Sequence, residues 1–270
     1  MNETEKKMKM ALSLIKTACK THPYKIAFSG GKDSVVIDFL AKEAGFELPK
    51  IYNSTTIDPP GTIKFCLDYG CIINRPAKSF LQLVEEKGLP TMFRRFCCRF
   101  LKEQYVADFL IMGIRKAESV KRNKRYCDFE AVINYSKKRH TTALYPILHM
   151  NDEDISYIVE TFHLKCHPLY YDDYGYFHVE RRLGCIGCPL KGDRGVSELM
   201  KYTGLLRQIT KRLIKFHEAQ GRTAQDAYLN LVYNLFYSNH KFKQYQQTYQ
   251  GLFAHDPKQF LEDYFKIDLP

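Results

Sequence analysis

The most constraining feature of this sequence is a glycine-rich hexapeptide, Ser29-Gly30-Gly31-Lys32-Asp33-Ser34, which lies between an apolar segment and a helical pattern. Residues 24–28 are short and apolar, as in a buried strand, and residues 35–44 repeat apolar side chains at helical spacing. A strand, a glycine loop and a helix in this order predict an anion site. The glycines let a ligand approach the backbone, and the helix N-terminus offers unpaired N–H groups. The alternative interpretation is a glycine turn capped by Asp33 or Ser34.

The rest of the chain alternates short strands with helices up to about residue 194. We expect strands at residues 50–55, 71–74 and 109–113, and helices at residues 8–20, 63–69, 79–87 and 151–163. This alternation predicts an α/β fold with a parallel sheet. From residue 195 onward the pattern is helical, with helices expected at 197–219, 223–238 and nearer the end. We therefore predict an α/β nucleotide-binding domain at 1–194 that carries the cysteine pairs, and a helical C-terminal region at 195–270.

Composition excludes several classes of protein. No stretch approaches the roughly 18 uninterrupted apolar residues that a membrane helix needs, so we expect a cytoplasmic protein. The nine cysteines are an odd number and predict no disulfide framework. Five isolated cysteines are interpreted as packing residues, because a free cysteine behaves as a small hydrophobic side chain. They are Cys19, Cys66, Cys71, Cys127 and Cys166.

The net charge of +11 is concentrated in one segment. Residues 91–140 contain 13 Lys or Arg and 5 Asp or Glu, which is 13 − 5 = +8. The basic clusters are Arg94-Arg95, Arg99, residues 121–125 and residues 137–139. This segment is interpreted either as a solvated basic face or as a surface that binds the phosphates of a nucleotide or a nucleic acid.

Two cysteine pairs, Cys97-Cys98 and Cys185-x-x-Cys188, have the residue types of a metal centre. Adjacent cysteines chelate a single tetrahedral zinc poorly, because zinc sites favour spacings of two to four residues. In a [4Fe-4S] cluster each iron takes its own thiolate, so neighbouring cysteines can bind neighbouring irons. We expect the cluster, and the alternatives are a four-cysteine zinc site or cysteines that bind no metal.

These motifs together resemble a known family. The loop is similar to the pyrophosphatase (PP) loop of adenine nucleotide α-hydrolase-like proteins, and a Cys-Cys pair followed at a distance by Cys-x-x-Cys resembles the phosphoadenosine phosphosulfate (PAPS) reductase family. Several further segments resemble the phage-type members of this family and the DNA phosphorothioation sulfurtransferases. They are residues 56–60, residues 95–98 together with Lys102, residues 113–115 together with Glu118, Ser119 and Arg122, residues 145–148 and residues 184–189. The resemblance implies a PP-loop (HUP-like) parallel sheet flanked by helices.

The resemblance also implies roles for individual residues. Ser29, Gly30, Gly31, Lys32, Asp33 and Ser34 would hold the phosphates of ATP or of a sulfonucleotide (APS or PAPS), and Lys32, Asp33 and Asp58 would act in catalysis. Asp58 would contact the ribose or Mg²⁺, or would be a turn residue before Pro59-Pro60. Arg115 and Arg122 would neutralise the anionic end of the nucleotide, with a surface charge as the alternative. Cys97, Cys98, Cys185 and Cys188 would bind the cluster, and Arg95 and Lys102 would lie beside it.

The sequence departs from the reductase pattern at one point. Sulfonucleotide reductases carry a nucleophilic cysteine in a Glu-Cys-Gly-type motif, and this sequence has no cysteine after Cys188. The resemblance to DNA phosphorothioation sulfurtransferases instead implies an enzyme that adenylylates an acceptor with ATP and transfers sulfur from a donor such as a cysteine desulfurase. The basic segment at 91–140 fits a nucleic acid (DNA or tRNA) as that acceptor. The alternatives are a sulfonucleotide reductase with a different nucleophile, Cys127 or Cys166 within this chain, and a non-catalytic nucleotide-binding regulator.

Overall fold

The structure is a computed structural model that describes residues 2–91, 93–103, 107–136, 139–236 and 256–270. Contacts divide the chain into two units, which interleave along the sequence. We call Met1–Ser54, Pro59–Arg75 and Tyr105–Gly184 the sheet unit, and Thr55–Asp58, Pro76–Gln104 and Cys185–Pro270 the helical unit. The predicted division was a single boundary after residue 194. By contacts, the four paired cysteines belong to the helical unit.

The sheet unit contains a six-stranded sheet in the order β3-β2-β1-β4-β6-β5. The strands are β1 (Lys25–Ala27), β2 (Lys50–Asn53), β3 (Ile72–Asn74), β4 (Phe109–Ile111), β5 (Glu130–Ser136) and β6 (Arg139–Leu144). All neighbouring pairs are parallel except β5 with β6, which form an antiparallel edge. The predicted α/β class with a mostly parallel sheet is confirmed, whereas the strands β5 and β6 were not predicted.

The described helices of the sheet unit are α1 (Glu3–Thr21), α2 (Lys32–Glu43), α3 (Thr62–Asp68), α5 (Val120–Arg125) and α6 (Asp152–Thr161). All of them except α5 contribute buried side chains to the apolar core at the sheet. Their sequences include the expected start signals: Asn2 with Glu5 and Asn151 with Asp154 each form a reciprocal cap at the N-terminus of α1 and α6. Fully buried Ile26 of β1 and Ile37 of α2 belong to the core that joins sheet and helices.

The helical unit has a core of its own. Its helices are α4 (Phe80–Lys87), α7 (Asp193–Lys201), α8 (Thr203–Glu218), α9 (Ala224–Phe236) and α10 (Pro257–Phe265). Leu83 of α4, Leu213 of α8 and Leu231 of α9 are almost fully buried in one cluster. A π-helical turn spans Cys98–Lys102 and ends where the Glu103 N–H donates to the Cys98 carbonyl at 3.0 Å. In the described part of the chain, no helix is both long and apolar enough to cross a membrane.

Three sequence predictions need correction or restriction. The helix expected at 197–219 is two helices, because the backbone at Tyr202 (φ −110°, ψ 54°) leaves the helical region. Cys127 is exposed and does not pack in a core, whereas Cys66, Cys71 and Cys166 are buried as expected. The end of the helix expected at 223–238 and the basic residues Lys137 and Lys138 lie outside the described residues.

Candidate functional site

The glycine loop lies at the carboxyl end of β1, the strand from which the sheet extends in both directions. The chain runs from β1 to β2 and β3 on one side, and then crosses to β4 on the other side. In open α/β sheets, ligands bind at the carboxyl ends of the strands where the strand order reverses in this way. Gly31 caps α2, so the first N–H groups of this 12-residue helix face the same end of the sheet.

The two loop glycines occupy positions where a side chain has little room. Gly30 has φ +74°, and a Cβ there would lie 3.1 Å from Leu183 Cδ2. A Cβ on Gly31 would lie 3.2 Å from Ser29 Oγ and 3.4 Å from the Tyr170 hydroxyl. Both glycines are therefore required by the close approach of neighbouring side chains. Leu183 and Tyr170 are contacts of the loop that sequence reasoning did not identify, since they lie far from it along the chain.

The serines of the loop hold its backbone. Ser34 Oγ donates to the carbonyl of Gly31 at 2.7 Å, and Ser29 Oγ accepts from the Gly31 N–H at 3.3 Å. The Ser29 N–H also donates to Ser34 Oγ, at 3.3 Å. These hydrogen bonds fix the conformation of the loop; its role as an anion site stays a prediction.

Asp33 is fixed by a buried arginine. The Nε of Arg115 donates to Asp33 Oδ1 at 2.6 Å, and its Nη2 donates to Asp152 Oδ1 at 2.7 Å. The Arg115 side chain is 1% exposed, and a Cβ on nearby Gly113 would lie 3.0 Å from Asp33 Cβ. The Gly113-x-Arg115 motif thus packs against the first turn of α2. In this structure the charge of Arg115 is engaged by two carboxylates.

Other cations lie around the same turn. The Lys32 side chain is 5% exposed, with its Nζ 3.5 Å from Asp33 Oδ2. Arg122 is partly exposed and pairs with Glu118, and Arg182 Nη2 donates to the Glu118 carbonyl at 2.9 Å. Burial, and also the neighbouring charge of Arg182, lower the pKa of Arg122. An anion would relieve the repulsion between these cations. Arg182 was not predicted, since the pair Arg181-Arg182 has no motif of its own.

Asp58 belongs to the helical unit and forms a local turn there. Its Oδ2 accepts the backbone N–H of Thr55 at 2.8 Å, and its Oδ1 accepts the Thr55 hydroxyl at 2.6 Å. These are the hydrogen bonds of a turn residue. A turn residue is one of the two roles that the sequence suggests for Asp58, and the other is contact with the ribose or Mg²⁺. Its charge contributes to raising the pKa of Lys102, after larger contributions from the cysteine thiolates.

The structure brings the four paired cysteines together in the helical unit, all partly buried and free of disulfides. The Cys97 thiol and Cys98 share a hydrogen bond, and the charges of Cys98, Cys185 and Cys188 all act to raise the pKa of Cys97. The backbone N–H of Ile186, between the second pair, donates to the Ile57 carbonyl at 2.8 Å. A Cβ on Gly195 would lie 2.7 Å from the Cys188 carbonyl oxygen, so α7 begins tightly against the second pair.

Two cations accompany these thiols. Arg95 Nη2 lies 3.6 Å from Cys98 Sγ. The hydrogen bond from Cys97, together with Arg95 and Lys102, lowers the pKa of Cys98 to about 5, against the opposing effect of burial. Interaction with Cys185 first, and then with Cys98 and Cys188, raises the pKa of Lys102 against the opposing effect of burial. Cys98 is consequently a thiolate at neutral pH, which is the form that binds metals.

The donor chemistry of these cysteines fits an iron–sulfur cluster, since it offers thiolate sulfur from four residues with adjacent positive charge. Among the residues that the structure describes, no three His, Cys, Asp or Glu side chains surround a common point as ligands of one ion. The assignment of Cys97, Cys98, Cys185 and Cys188 as cluster ligands therefore stays a prediction.

A model of the phosphoadenosine phosphosulfate reductase domain matches residues 23–191. The chain belongs to this family. The matched residues include the loop, the Gly113-x-Arg115 motif and all four paired cysteines. Proteins of this family are adenine nucleotide α-hydrolase-like and bind adenine nucleotides.

Two relatives come from Methanocaldococcus jannaschii. The uncharacterized protein MJ0973 is 31% identical over 207 residues, which are 68% of this chain and 47% of that protein. The uncharacterized protein MJ0066 is 30% identical over 184 residues, 62% of this chain and 36% of that protein. The chain thus matches half or less of the length of both curated relatives.

Two solved structures are similar in fold. A PAPS reductase from Candida auris, in a phosphate complex, aligns with TM-score 0.48 and 14% identity over 68% of this chain and 96% of that chain. An FMN adenylyltransferase from Candida glabrata, in complex with FMN and the ATP analog AMPCPP, aligns with TM-score 0.46 and 16% identity, over 68% of this chain and 62% of that chain.

Proposed function

We propose that this PAPS reductase family member binds ATP at the loop after β1, adenylylates a nucleic-acid acceptor and exchanges the adenylate for sulfur. The observation that carries the proposal is the loop itself: bare glycine backbone and the N-terminus of α2, with Lys32 buried beside them and Arg122 and Arg182 at the same turn. Backbone N–H groups and fixed cations of this kind stabilise the charge of a leaving pyrophosphate.

The reaction divides into two displacements. An acceptor oxygen attacks the α-phosphorus of ATP, the bond to the β-phosphate breaks, and pyrophosphate leaves. A donor such as a cysteine desulfurase carries sulfur as a persulfide, and a second thiol releases it as hydrosulfide while the two thiols are oxidised to a disulfide. The hydrosulfide then attacks the acceptor atom that bears the adenylylated oxygen, the bond to that oxygen breaks, AMP leaves with the oxygen, and sulfur stays bonded to the acceptor. In this scheme the loop residues bind the departing pyrophosphate, and Arg115 keeps Asp33 oriented at the first turn of α2. Asp58 stays a proposed ligand of Mg²⁺ or of the ribose, and its carboxylate already accepts the backbone N–H and the hydroxyl of Thr55.

The four cysteines add a second component to the proposal. Cys97, Cys98, Cys185 and Cys188 would hold a [4Fe-4S] cluster, with Arg95 and Lys102 balancing part of its negative charge. When bound, such a cluster would supply one-electron redox chemistry and an iron able to bind sulfur. The cysteine side chains would position this component in the helical unit, next to the start of α7.

Reduction of a sulfonucleotide is the second candidate, because the matching family model is that of the PAPS reductase domain. It requires a thiolate that attacks the sulfate sulfur and expels the nucleotide. Cys127 is exposed and accessible for this role. Cys166 is buried, and burial raises its pKa to about 12, so its thiol stays protonated at neutral pH.

One assay separates the candidates. Anaerobically purified protein is incubated with ATP, Mg²⁺, sulfide and polynucleotide, and separately with adenylylsulfate and a dithiol. Release of pyrophosphate that depends on the polynucleotide, with sulfur incorporated into it, is the expected result. Sulfite release from adenylylsulfate would favour the reductase, and nucleotide binding with neither product would indicate the regulator.

A further inference from the structure

The helical unit contains a cavity of about 330 Å³ with Cys188 in its wall. Its described lining includes three glycines, Gly187, Gly192 and Gly195, so one wall is largely bare backbone. Gly187 and Gly192 have positive φ angles, and a Cβ on Gly195 would meet the Cys188 carbonyl. Side chains are therefore disfavoured on this wall for reasons of backbone geometry, which leaves space beside Cys188.

Aromatic and amide side chains form another part of the lining. Phe93 is 95% exposed and Tyr233 is 46% exposed, although both are large aromatic residues. Asn230 and Asn234 also line the cavity. Aromatic faces stack on nucleobases, and amide groups donate to and accept from the edges of bases.

The rim of the cavity is preformed. Thr91 Oγ accepts the backbone N–H groups of Phe93 and Arg94, at 3.3 and 2.9 Å. Arg94 Nη2 in turn donates to the Lys87 carbonyl at 2.8 Å. The amide nitrogen of Asn234 donates to the Pro90 carbonyl at 3.1 Å, which ties α9 to the same loop. A lining held in place without its ligand loses little entropy when the ligand binds.

The charge near the rim selects an anionic partner. Residues 91–102 contain four basic residues, Arg94, Arg95, Arg99 and Lys102, and no acidic residue. Arg95 and Arg99 are exposed. A polynucleotide provides both a planar base for the cavity and phosphates for these cations, whereas an apolar peptide would use the cavity alone.

We propose that this cavity receives one unpaired base of a single-stranded nucleic acid, and that Tyr233 and Asn230 determine the affinity for that base. The inference rests on the proposed function, in which the acceptor is a nucleic acid. It specifies that this acceptor has an unstacked base, which lies beside Cys188. A single-stranded segment fits best, because it exposes a base without the cost of opening a duplex.

Binding of single-stranded oligonucleotides to the full chain tests the proposal without ATP or turnover. One oligonucleotide carries 2-aminopurine at its centre, and a matched one carries an abasic site there. We expect the 2-aminopurine fluorescence to change on binding, and the abasic oligonucleotide to bind about tenfold more weakly. Tyr233→Ala and Asn230→Ala should each weaken binding of the first oligonucleotide by at least about fivefold. Neither should alter the salt dependence, because both residues are uncharged and neutralise no phosphate.

Tyr174→Ala and Gln208→Ala are the matched controls, since both residues are exposed and neither lines the cavity. They should bind like the parent. Equal affinity for the abasic and base-containing oligonucleotides, or parental affinity of Tyr233→Ala, would overturn the proposal. Pyrophosphate release is measured separately on the same proteins, so a failure of the adenylylation chemistry would not be mistaken for a failure of base binding. Melting temperatures verify that each variant is folded.

Discussion

At the scale of single residues, Gly31 shows how closely the loop is confined. A Cβ there would lie within 3.4 Å of two hydroxyl oxygens, those of Ser29 and Tyr170. We expect Gly31→Val to weaken adenine nucleotide binding at least tenfold, because the branched side chain displaces these hydroxyls and blocks the phosphate. Isothermal titration with a non-hydrolysable ATP analogue measures the effect. Gly204→Val is the control, since a Cβ at Gly204 meets nothing within 4 Å. Parental affinity of Gly31→Val would show that the nucleotide binds elsewhere.

The paired cysteines allow a second test at this scale. Anaerobically purified protein should be brown and contain about four irons per chain, and Cys98→Ser or Cys185→Ser should remove both the colour and the iron. Iron analysis and visible absorbance measure this. Cys127→Ser is the matched control, because Cys127 is exposed and is not one of the predicted ligands. Stoichiometric zinc with no iron would contradict the cluster.

At the residue level, the sequence can indicate which residues contact one another only where those contacts are local. The loop serines and glycines contact one another within six residues, so a motif could reveal them. The partners of Arg115 could not be foreseen, because Asp33 and Asp152 are 82 and 37 residues away from it. Its burial between two carboxylates depends on which strands become neighbours, and the sequence pattern alone does not determine that order.

At the scale of secondary-structure elements, Asp154 connects α1 to α6. Its carboxylate accepts from Thr4 Oγ at 2.6 Å, from Lys7 Nζ at 2.7 Å and from the Asn151 N–H at 2.8 Å. Burial opposes ionisation of Asp154, but the hydrogen bonds from Lys7, Thr4 and Asn151 outweigh it and lower its pKa. A lowered folded-state pKa means that the carboxylate stabilises the fold above its unfolded pKa of about 4, and that this contribution disappears as the pH falls below that value.

We therefore expect Asp154→Asn to reduce the free energy of unfolding by about 1–3 kcal/mol at pH 7. The difference from the parent should shrink as the pH falls below about 4. Urea titrations monitored by circular dichroism at several pH values measure both effects. Asp68→Asn serves as the control, because its ion pair with Lys64 is highly exposed and contributes little. An unchanged difference between parent and Asp154→Asn across this pH range would contradict the assigned role of the charge.

The elements that the sequence did not predict share a physical cause. Thr203 and Gly204 are poor helix formers, but the helical spacing of apolar residues continues through them. A prediction from this spacing alone therefore gives one helix where the structure has α7 and α8. The strands β5 and β6 pair antiparallel, with β5 at the edge of the sheet and β6 between β4 and β5. The polar residue Thr141 of β6 is fully buried, so the polar and apolar residues of this strand do not follow its burial and the sequence pattern does not reveal it.

At the scale of the whole molecule, the alternation of strands and helices was sufficient to predict the α/β class. The division into two interleaved units was not predictable, because it follows contacts between segments far apart in sequence, such as residues 76–104 with 185–270. The basic residues of the 91–140 segment are likewise divided: Arg94, Arg95, Arg99 and Lys102 belong to the helical unit, and the others that the structure describes belong to the sheet unit.

A bound polynucleotide would contact some of these basic residues. The dependence of its affinity on salt concentration reports the number of phosphates that the protein neutralises. Lys124 and Arg125 lie at the end of α5 and are exposed. We expect DNA or tRNA affinity to fall steeply with salt. The double variant Lys124→Glu/Arg125→Glu should flatten the slope of log K against log salt by about one unit for each phosphate that it no longer neutralises. Fluorescence anisotropy at 50–300 mM salt (roughly the range over which such slopes are resolved) measures it.

The control for this experiment must change the net charge equally at another place. Lys9→Glu/Lys16→Glu does so, because both lysines are exposed on α1 outside the basic segment. If only general attraction mattered, both double variants would reduce affinity alike and leave similar slopes. A flatter slope confined to the α5 variant would locate phosphate binding at α5. Binding that is absent or independent of salt would instead contradict a nucleic-acid acceptor, and would leave the basic residues of the sheet unit to the phosphates of a small sulfonucleotide.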